Sequence, residues 1–196
     1  MTRNRSLKSG IRKGLKWGWL SAVRPFKQMR YGRILRRPNG GLSLHIGCGG
    51  RRLDGFINID MNEGVCVDYK MNASRLPCSD GSVSRIETYH VIEHIPHPYV
   101  AGALREWFRV LKQGGVLVIE CPNFDEAVRG YLDGDETMLL SIFGRQRYHG
   151  DAHLFGYNAM RLTRLLKEAG FSAVKVCEPT DYHAEQEPCM RLEASK

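Results

Sequence analysis

The chain has 196 residues, a length that suits one domain with a single hydrophobic core. No apolar run reaches the roughly 18–20 residues that a membrane-spanning helix needs, and no apolar segment of a secretory signal follows the charged N-terminus. The net charge of +8 does not indicate a uniformly basic surface for nucleic acid, because residues 1–37 carry twelve Lys or Arg and no acid, while residues 38–196 hold 17 bases against 21 acids.

Residues 1–37 are predicted to form a basic amphipathic N-terminal arm. Its apolar residues recur near helical spacing, at Leu7, Ile11, Leu15, Trp19, Ala22 and Phe26. A basic amphipathic helix of this kind is typical of peripheral membrane binding, so we expect the arm to bind an anionic membrane surface. A flexible tail, an RNA-binding arm and a transit peptide are the alternatives, in that order.

The linker RRPNGG at residues 36–41 separates the arm from a second unit at 38–196. Six cysteines are scattered through this unit without a C-x-x-C pair, which favours free thiols in a reducing compartment. We therefore expect a cytoplasmic protein, which the arm would bring to the inner face of the membrane.

Strands and helices alternate along the second unit. Strands are predicted at 42–46, 55–60, 65–69, 82–91, 114–122, 173–179 and 189–194, and amphipathic helices at 101–113 and 158–171. This order predicts an α/β fold, with a Rossmann-like, mainly parallel sheet, helices on both faces and an antiparallel C-terminal strand.

A glycine loop follows the first predicted strand, in the segment LHIGCGG at residues 44–50. Glycines there permit positive φ and allow the backbone to approach a ligand at the carboxyl end of the strand. Asp60 ends the next strand, where a carboxylate can accept both hydroxyls of a ribose. Only eleven residues separate Gly49 from Asp60, against about 20 in a dinucleotide site, which leaves no room for a phosphate-binding helix. The spacing therefore favours S-adenosylmethionine, a nucleoside cofactor without phosphates, over NAD or FAD.

Five motifs occur in the order found in class I S-adenosylmethionine-dependent methyltransferases, which the chain resembles over about residues 42–178. They are LHIGCGG, then Asp60, then NASRLPCSDGSVSRI at 72–86, HVIEHI at 90–95 and EWFRVLKQGGVLVIECPN at 106–123. The resemblance is strongest to the short type-11-like branch of these enzymes.

The resemblance implies the residues of a cofactor site. They are His45, Gly47, Cys48, Gly49, Asp60, Asn72, Ala73 and Tyr89. Four positions depart from the family pattern, one of them Gln113, which replaces a common proline. His45 stands where many members have an acid that helps to hold the methionine amino group, Asn72 replaces the adenine-binding Asp, and Ser84 replaces another acid.

The segment YHVIEHIPH at residues 89–97, here called the histidine turn, places three histidines and a glutamate in nine positions. Its H-x-x-E-H core matches a zinc-protease signature, but it leads to Pro96, so we do not expect the continuous helix which that site needs. Some methyltransferases with this turn coordinate a divalent metal through a carboxylate followed by Glu-His. Here His90 takes the place of the first carboxylate, and His149 or His153 could add a ligand; we assign no metal from the sequence.

A catalytic base is our interpretation of the histidine turn. A hydroxyl acceptor must lose its proton during methyl transfer, which favours a base whose pKa lies near neutrality. The turn follows the fourth strand, at the carboxyl edge beside the cofactor. We predict His90 as the base, His94 as the second candidate and Glu93 as the residue that orients one of them. In the alternative, Glu93 and His94 only cap the turn.

The polar and aromatic segment at 144–158 is predicted to be a binding loop. An acceptor that bears hydroxyls or negative charge could contact Arg145, Arg147, Tyr148, His149 and His153. A solvated surface loop is the alternative, and the side chains of Cys48 and Trp107 are assigned to packing.

The sequence thus predicts an S-adenosylmethionine-dependent methyltransferase for a small-molecule or glycan-type acceptor, with oxygen as the methylated atom. An RNA methyltransferase that uses the basic arm is one alternative, although the Asp/Asn-Pro-Pro-aromatic motif of base methylation is absent after the fourth strand. A non-catalytic scaffold with the same fold is the other.

Overall fold

The computed structural model describes residues 41–196, so the arm at 1–37 and its predicted membrane role lie outside the described residues. The strands are β1 Leu42–Ile46, β2 Ile57–Asp60, β3 Tyr69–Lys70, β4 Val83–Tyr89, β5 Leu111–Pro122, β6 Ala173–Cys177 and β7 Cys189–Ser195. The α-helices are α1 His97–Val110, α2 Phe124–Leu132, α3 Met138–Phe143 and α4 Ala159–Glu168, and short 3-10 helices cover Ile92–His94 and Tyr182–Glu185.

The seven strands form one sheet in the order β3-β2-β1-β4-β5-β7-β6. The first five strands in this order are parallel, whereas β7 pairs antiparallel with both β5 and β6. The central strand β1 is an apolar run with four of its five residues buried, as expected for a strand covered on both faces. The predicted fold class is confirmed.

No helix lies between β1 and β2 in the described chain, which confirms the spacing argument for residues 47–56. The buried side chain of Asn58 holds this connection instead. Its Oδ1 accepts a hydrogen bond from the Leu53 amide at 2.9 Å, and its Nδ2 donates to the carbonyls of Leu53 and Phe56 at 3.1 Å each. These bonds satisfy backbone groups that a crossover helix would otherwise satisfy internally.

Helix α1 fixes the segment that leads into β4. Trp107 is completely buried, as predicted, and its indole Nε1 donates a hydrogen bond to the carbonyl of Ala73 at 2.8 Å. Arg109 donates to the carbonyls of Leu76 and Cys78, at 3.1 and 2.9 Å. The helix therefore holds the chain around Ala73 in place at the edge of the sheet.

Two features of the helices were not predicted. Helix α1 begins at His97 rather than at residue 101, because Pro98 occupies its first turn, where the missing N–H costs no hydrogen bond. Helices α2 and α3 fill the stretch between β5 and the 144–158 loop.

Over residues 41–196, no helix is both long and apolar enough to span a membrane.

Candidate active site

A large cavity of about 1200 Å³ lies at the carboxyl ends of β1, β2 and β4. Ten of the eleven residues predicted for the cofactor and catalytic sites line it, namely His45, Gly47, Cys48, Gly49, Asp60, Asn72, Ala73, Tyr89, His90 and His94. Glu93 is the exception: it is buried behind the wall, with 2% of its surface exposed. The structure therefore brings together residues that are far apart in the sequence.

The glycine loop, residues 47–50, turns back over the end of β2. The amides of Gly47 and Cys48 both donate to the Ile59 carbonyl, at 2.8 and 3.1 Å. Gly47 has a φ of 72°, and a Cβ on it would lie 2.2 Å from the Val91 side chain. A Cβ on Gly49 or on Gly50 would meet no atom within 4 Å, so the backbone there faces open space that a ligand can approach.

Asp60 closes this end of the cavity. Its Oδ2 accepts a hydrogen bond from the Gly49 amide at 2.9 Å, and its Oδ1 accepts one from the Asn62 amide at 2.7 Å. Since a carboxylate has about four acceptor sites, two remain for a ligand. The arrangement can receive a vicinal diol such as that of a ribose.

Asn72 and Ala73 lie in the segment that α1 holds in place. The side-chain oxygen of Asn72 accepts a hydrogen bond from the Ser74 amide at 2.8 Å, which leaves its amide nitrogen as the group available to a ligand. An Asp at this position could only accept hydrogen bonds, whereas this Asn can donate one. Asn72 in place of Asp therefore adds a hydrogen-bond donor to this wall of the cavity.

His45 is buried and neutral. Its Nδ1 lies 2.9 Å from the Asn58 Oδ1, an atom that can only accept, so Nδ1 carries the proton and Nε2 has the lone pair. Burial lowers the pKa of His45, which keeps the imidazole uncharged at pH 7. The ring can accept one hydrogen bond from a ligand ammonium group, but it supplies no negative charge.

The Cys48 side chain points into packed surroundings, as predicted. It is 3% exposed, and burial raises the pKa of its thiol to about 11. All six cysteines of the protein are free thiols. Cys48 therefore contributes backbone, rather than a reactive sulfur, to the glycine loop.

The histidine turn is not a continuous helix, which excludes the zinc-protease arrangement. A 3-10 helix covers only Ile92–His94, and His90 lies outside it with a φ of 52°. The imidazole of His90 lines the cavity, but its Nδ1 lies 3.2 Å from Glu93 Oε1 and its Nε2 lies 3.7 Å from the Cys189 sulfur. Both nitrogens therefore face protein groups, and the base role of His90 stays a prediction.

Glu93 and His90 each stabilise the charged form of the other. Burial lowers the pKa of His90, but the neighbouring Glu93 carboxylate outweighs burial and raises it above the ordinary value. Burial likewise raises the pKa of Glu93, yet the imidazole beside it outweighs this effect and brings the pKa to about 2. Glu93 is therefore an ionised carboxylate inside the protein.

The segment between β6 and β7, residues 178–188, forms a wall that was not predicted from the sequence. Asp181 is 3% exposed and makes an ion pair with Arg51, next to the glycine loop, and a close contact with the His183 ring. The His183 ring lies 4.1 Å from that of His90. Burial, followed by the charge of His90, lowers the pKa of His183 to about 4. No local motif marks these residues, because only the pairing of β7 with β5 brings them to the cavity.

Comparisons with known proteins agree with this geometry. The family model described as a methyltransferase domain matches residues 44–119. A protein of Mycolicibacterium smegmatis named "Probable S-adenosylmethionine-dependent methyltransferase" is 29% identical over 162 residues, which cover 72% of this chain and 56% of the relative. A ubiquinone/menaquinone biosynthesis C-methyltransferase of Neisseria meningitidis is 28% identical over 134 residues, which cover 63% of this chain and 51% of the relative. The chain thus spans about half the length of the curated relatives it matches.

Solved structures show the same fold. A SAM-dependent methyltransferase of Thermotoga maritima superposes with a TM-score of 0.58 at 18% identity, over 87% of this chain and 88% of that one. One of Archaeoglobus fulgidus gives 0.54 at 17% identity, over 87% and 93%.

The matched segment and the fold are those of a class I S-adenosylmethionine-dependent methyltransferase.

S-adenosylmethionine is the cofactor that these matches imply, and the described residues fit it. The glycine loop leaves open space beside Gly49 and Gly50, and Asp60 keeps two acceptor sites for the ribose. The missing helix after β1 removes the phosphate-binding element of a dinucleotide site, which agrees with a cofactor that has no phosphates.

The 144–158 loop borders the other end of the methyltransferase cavity. All five residues predicted to contact an acceptor line the cavity, namely Arg145, Arg147, Tyr148, His149 and His153. The backbone amide and guanidinium of Arg147 donate to Asp151 at 2.9 to 3.1 Å, whereas Arg145 donates to the side-chain oxygen of Gln186 at 2.9 Å. No carboxylate among the described residues pairs with Arg145, so its charge is available to a ligand.

Asp151→Asn should destabilise the protein through the 144–158 loop, by an amount that depends on pH. Hydrogen bonds from Arg147 lower the pKa of Asp151 to about 2, so its stabilising contribution is complete above the ordinary value near 4 and is lost as the pH falls toward 2. We expect the substitution to lower the free energy of unfolding by about 1 kcal/mol at pH 7, because Arg147 is largely exposed and solvent screens the pair.

Urea denaturation at several pH values between 7 and 3 measures this difference. The gap between wild type and Asp151→Asn should narrow below about pH 4. The exposed Asp54→Asn serves as the control and should change the unfolding free energy by less than about 0.5 kcal/mol. A gap that stayed constant from pH 7 to pH 3 would rule out the ion pair as its cause.

Proposed function

We propose that the protein transfers the methyl group of S-adenosylmethionine to a hydroxyl of a small-molecule or glycan-type acceptor. The observation that carries the proposal is the large cavity of about 1200 Å³. Pockets for one drug-sized ligand measure roughly 300–1000 Å³, so this cavity has room for a second molecule beside the cofactor. Transfer between two bound molecules requires such a shared space.

The two ends of the cavity have different chemistry, which supports a different bound molecule at each end. At one end, the glycine loop and Asp60 offer open backbone and carboxylate acceptors, which suit the adenosine part of the cofactor. At the other end, Arg145, Tyr148 and His149 offer a cation and several hydrogen-bond donors. These groups suit an acceptor that is rich in hydroxyls or carries negative charge.

The cofactor supplies an electrophilic methyl group on a sulfonium. The protein's part is to hold the acceptor oxygen in line with that group, since alignment provides much of the acceleration in such displacements. The acceptor hydroxyl must also lose its proton. His90 and His94 are the imidazoles on the wall that we propose to receive it, with Glu93 orienting His90.

We propose oxygen rather than carbon as the methylated atom. The Neisseria relative is named as a C-methyltransferase, so relatives of similar identity include a carbon-directed enzyme. The histidines around the cavity favour oxygen here, because a sugar or other aliphatic hydroxyl needs a base during transfer.

Incubation with methyl-labelled S-adenosylmethionine tests the proposal. The full chain is offered three acceptor pools in parallel: hydroxylated small molecules, glycans and RNA, and labelled products are identified by mass spectrometry. We expect label on an oxygen in one of the first two pools, and none with Asp60→Ala. Label on carbon or in RNA, or no transfer to any pool by a protein that binds the cofactor, would contradict the proposed acceptor.

A further inference from the structure

A cluster of three metal-ligating side chains lies in the wall of the cavity, apart from the cofactor end. It consists of Glu93, His94 and His153, and one ligand atom from each lies within 4.8 Å of the others. His94 and Glu93 come from the histidine turn, whereas His153 comes from the 144–158 loop. The fold, rather than any local motif, brings the third residue to the first two.

Both imidazoles of this cluster are anchored through the same nitrogen. His94 Nδ1 lies 3.0 Å from the Ala152 carbonyl oxygen, and His153 Nδ1 lies 2.8 Å from that of Ser141. A carbonyl only accepts hydrogen bonds, so each Nδ1 carries the proton and each Nε2 presents a lone pair. Anchoring of one ring nitrogen by a backbone carbonyl is the arrangement that typically orients a metal-binding histidine.

Within residues 41–196, the Glu93 carboxylate accepts no hydrogen bond, although it is buried and has a single basic neighbour. Neither of its oxygens has a hydrogen-bond partner among the described residues, and the nearest basic group, His90 Nδ1, lies 3.2 Å away without hydrogen-bond geometry. A buried carboxylate whose oxygens accept no hydrogen bond is unfavourable unless an ion or a water binds them.

A small void lies beside the cluster and is large enough for one water molecule or one small ion. It measures about 10 Å³, and its lining includes Glu93, His153, Ser141 and Tyr157. The hydroxyls of Ser141 and Tyr157 are also buried without a hydrogen-bond partner. Buried polar atoms in native proteins are nearly always satisfied, so three such residues around one void indicate a small polar occupant.

We propose that Glu93, His94 and His153 bind a divalent transition-metal ion. Two imidazoles and one carboxylate form the ligand set that suits Zn²⁺, Fe²⁺, Co²⁺ or Mn²⁺. Ligand bonds of roughly 2.0–2.2 Å around a tetrahedral ion place the ligand atoms about 3.3–3.6 Å apart, so binding requires the three atoms, which lie within 4.8 Å of one another, to approach by up to about 1.4 Å. The sequence alone assigned no metal to these residues.

A second cluster, formed by His90, Asp181 and His183, is a weaker candidate. The Asp181 carboxylate already contacts Arg51 and the His183 ring, so its charge is compensated. Glu93 has only the His90 ring beside it, at 3.2 Å, and the small void is lined by Glu93 and His153 but by no residue of the second cluster; the void therefore selects the first cluster.

The ion would have open coordination positions on the cavity side. His94 and His153 both line the large cavity, and three protein ligands leave at least one position of a tetrahedral ion free. An acceptor oxygen at that position would be a use of the site that rests on the proposed function, and with His94 as a ligand His90 would remain as the base. Metal binding itself does not depend on methyl transfer.

Titration of the full chain with Co²⁺ and Zn²⁺ tests the site. The protein is first dialysed against a chelator, and binding is followed by calorimetry and by the visible absorption of Co²⁺, which reports its ligand geometry. We expect one equivalent to bind with a dissociation constant below about 10 μM, and we expect His153→Ala to weaken it at least 100-fold. Glu93→Gln keeps the shape of the side chain and should weaken binding to a similar degree.

His149→Ala and His183→Ala are the matched controls, because both residues line the cavity outside the cluster, and their affinities should stay within threefold of wild type. Thermal unfolding and S-adenosylmethionine binding are measured on the same samples, so a folding defect or a failed cofactor site is recognised separately. Absence of binding by either metal, or equal affinity in wild type and in a folded His153→Ala or Glu93→Gln variant, would overturn the proposal.

Discussion

Asp60→Ala is expected to weaken the binding of S-adenosylmethionine by roughly 100-fold or more. The carboxylate has two acceptor sites left after its bonds to the Gly49 and Asn62 amides, and each would receive one ribose hydroxyl. A hydrogen bond to a charged group contributes about 1.5–3 kcal/mol, so the loss of two amounts to at least about 3 kcal/mol. Calorimetry with S-adenosylmethionine and with S-adenosylhomocysteine measures the change directly.

Asp54→Ala is the matched control for Asp60, because it removes an exposed carboxylate from the same connection between β1 and β2. Its cofactor affinity should equal that of wild type. Asp60→Asn retains one side-chain oxygen and should fall between the two. If Asp60→Ala remained folded and bound the cofactor as tightly as wild type, the ribose role of this residue would be wrong.

Gly47→Ala should destabilise the fold by about 2–5 kcal/mol. The backbone there has a φ of 72°, which costs an L-residue roughly 1–2 kcal/mol. In addition, the new Cβ would lie 2.2 Å from Val91 Cγ2, and overpacking of this kind typically costs about 1–3 kcal/mol. Urea denaturation followed by circular dichroism would show the loss as a lower midpoint with an unchanged slope.

Gly50→Ala tests the same argument without the collision. A Cβ on Gly50 meets no atom within 4 Å, so its stability should stay within about 0.5 kcal/mol of wild type. The double variant Gly47→Ala/Val91→Ala removes the contact but keeps the backbone strain, and should therefore recover only part of the loss. Wild-type stability in Gly47→Ala would mean that the glycine loop relaxes more easily than its packing suggests.

The cofactor half of the site was predictable because its signals are local. The glycine loop and Asp60 are close together in the sequence, and the short spacing between them leaves no room for a helix. Strands β1 and β2 were predictable for a similar reason, since each is a short, mainly apolar run next to glycine. The third strand was predicted at 65–69 but covers Tyr69–Lys70, because its two residues carry no apolar pattern.

The acceptor half was only partly predictable. Residues of the 144–158 loop were identified by composition, and all five predicted contacts line the cavity. Asp181 and His183 were missed, because they reach the cavity only through the position of β7 in the sheet, which is a long-range property. The pairing of His94 with His153 depends equally on the fold.

The unpredicted helices have different explanations. Helix α2 begins after Asn123 and carries Asp125 and Glu126 in its first turn, a usable start signal that its short apolar pattern obscured. Helix α3, Met138–Phe143, has only six residues, too few for a helical period to be distinguished from an apolar run.

The order of the strands also determines how the sheet ends on each side. Its outer strands are β3, which has only two residues, and β6, a mostly exposed strand with Lys175 at its centre. Short border strands and a border lysine both discourage hydrogen bonding to the sheet of a second molecule. The apolar interior strands, which would aggregate readily if they stood at the margin, are thereby kept from edge-to-edge association.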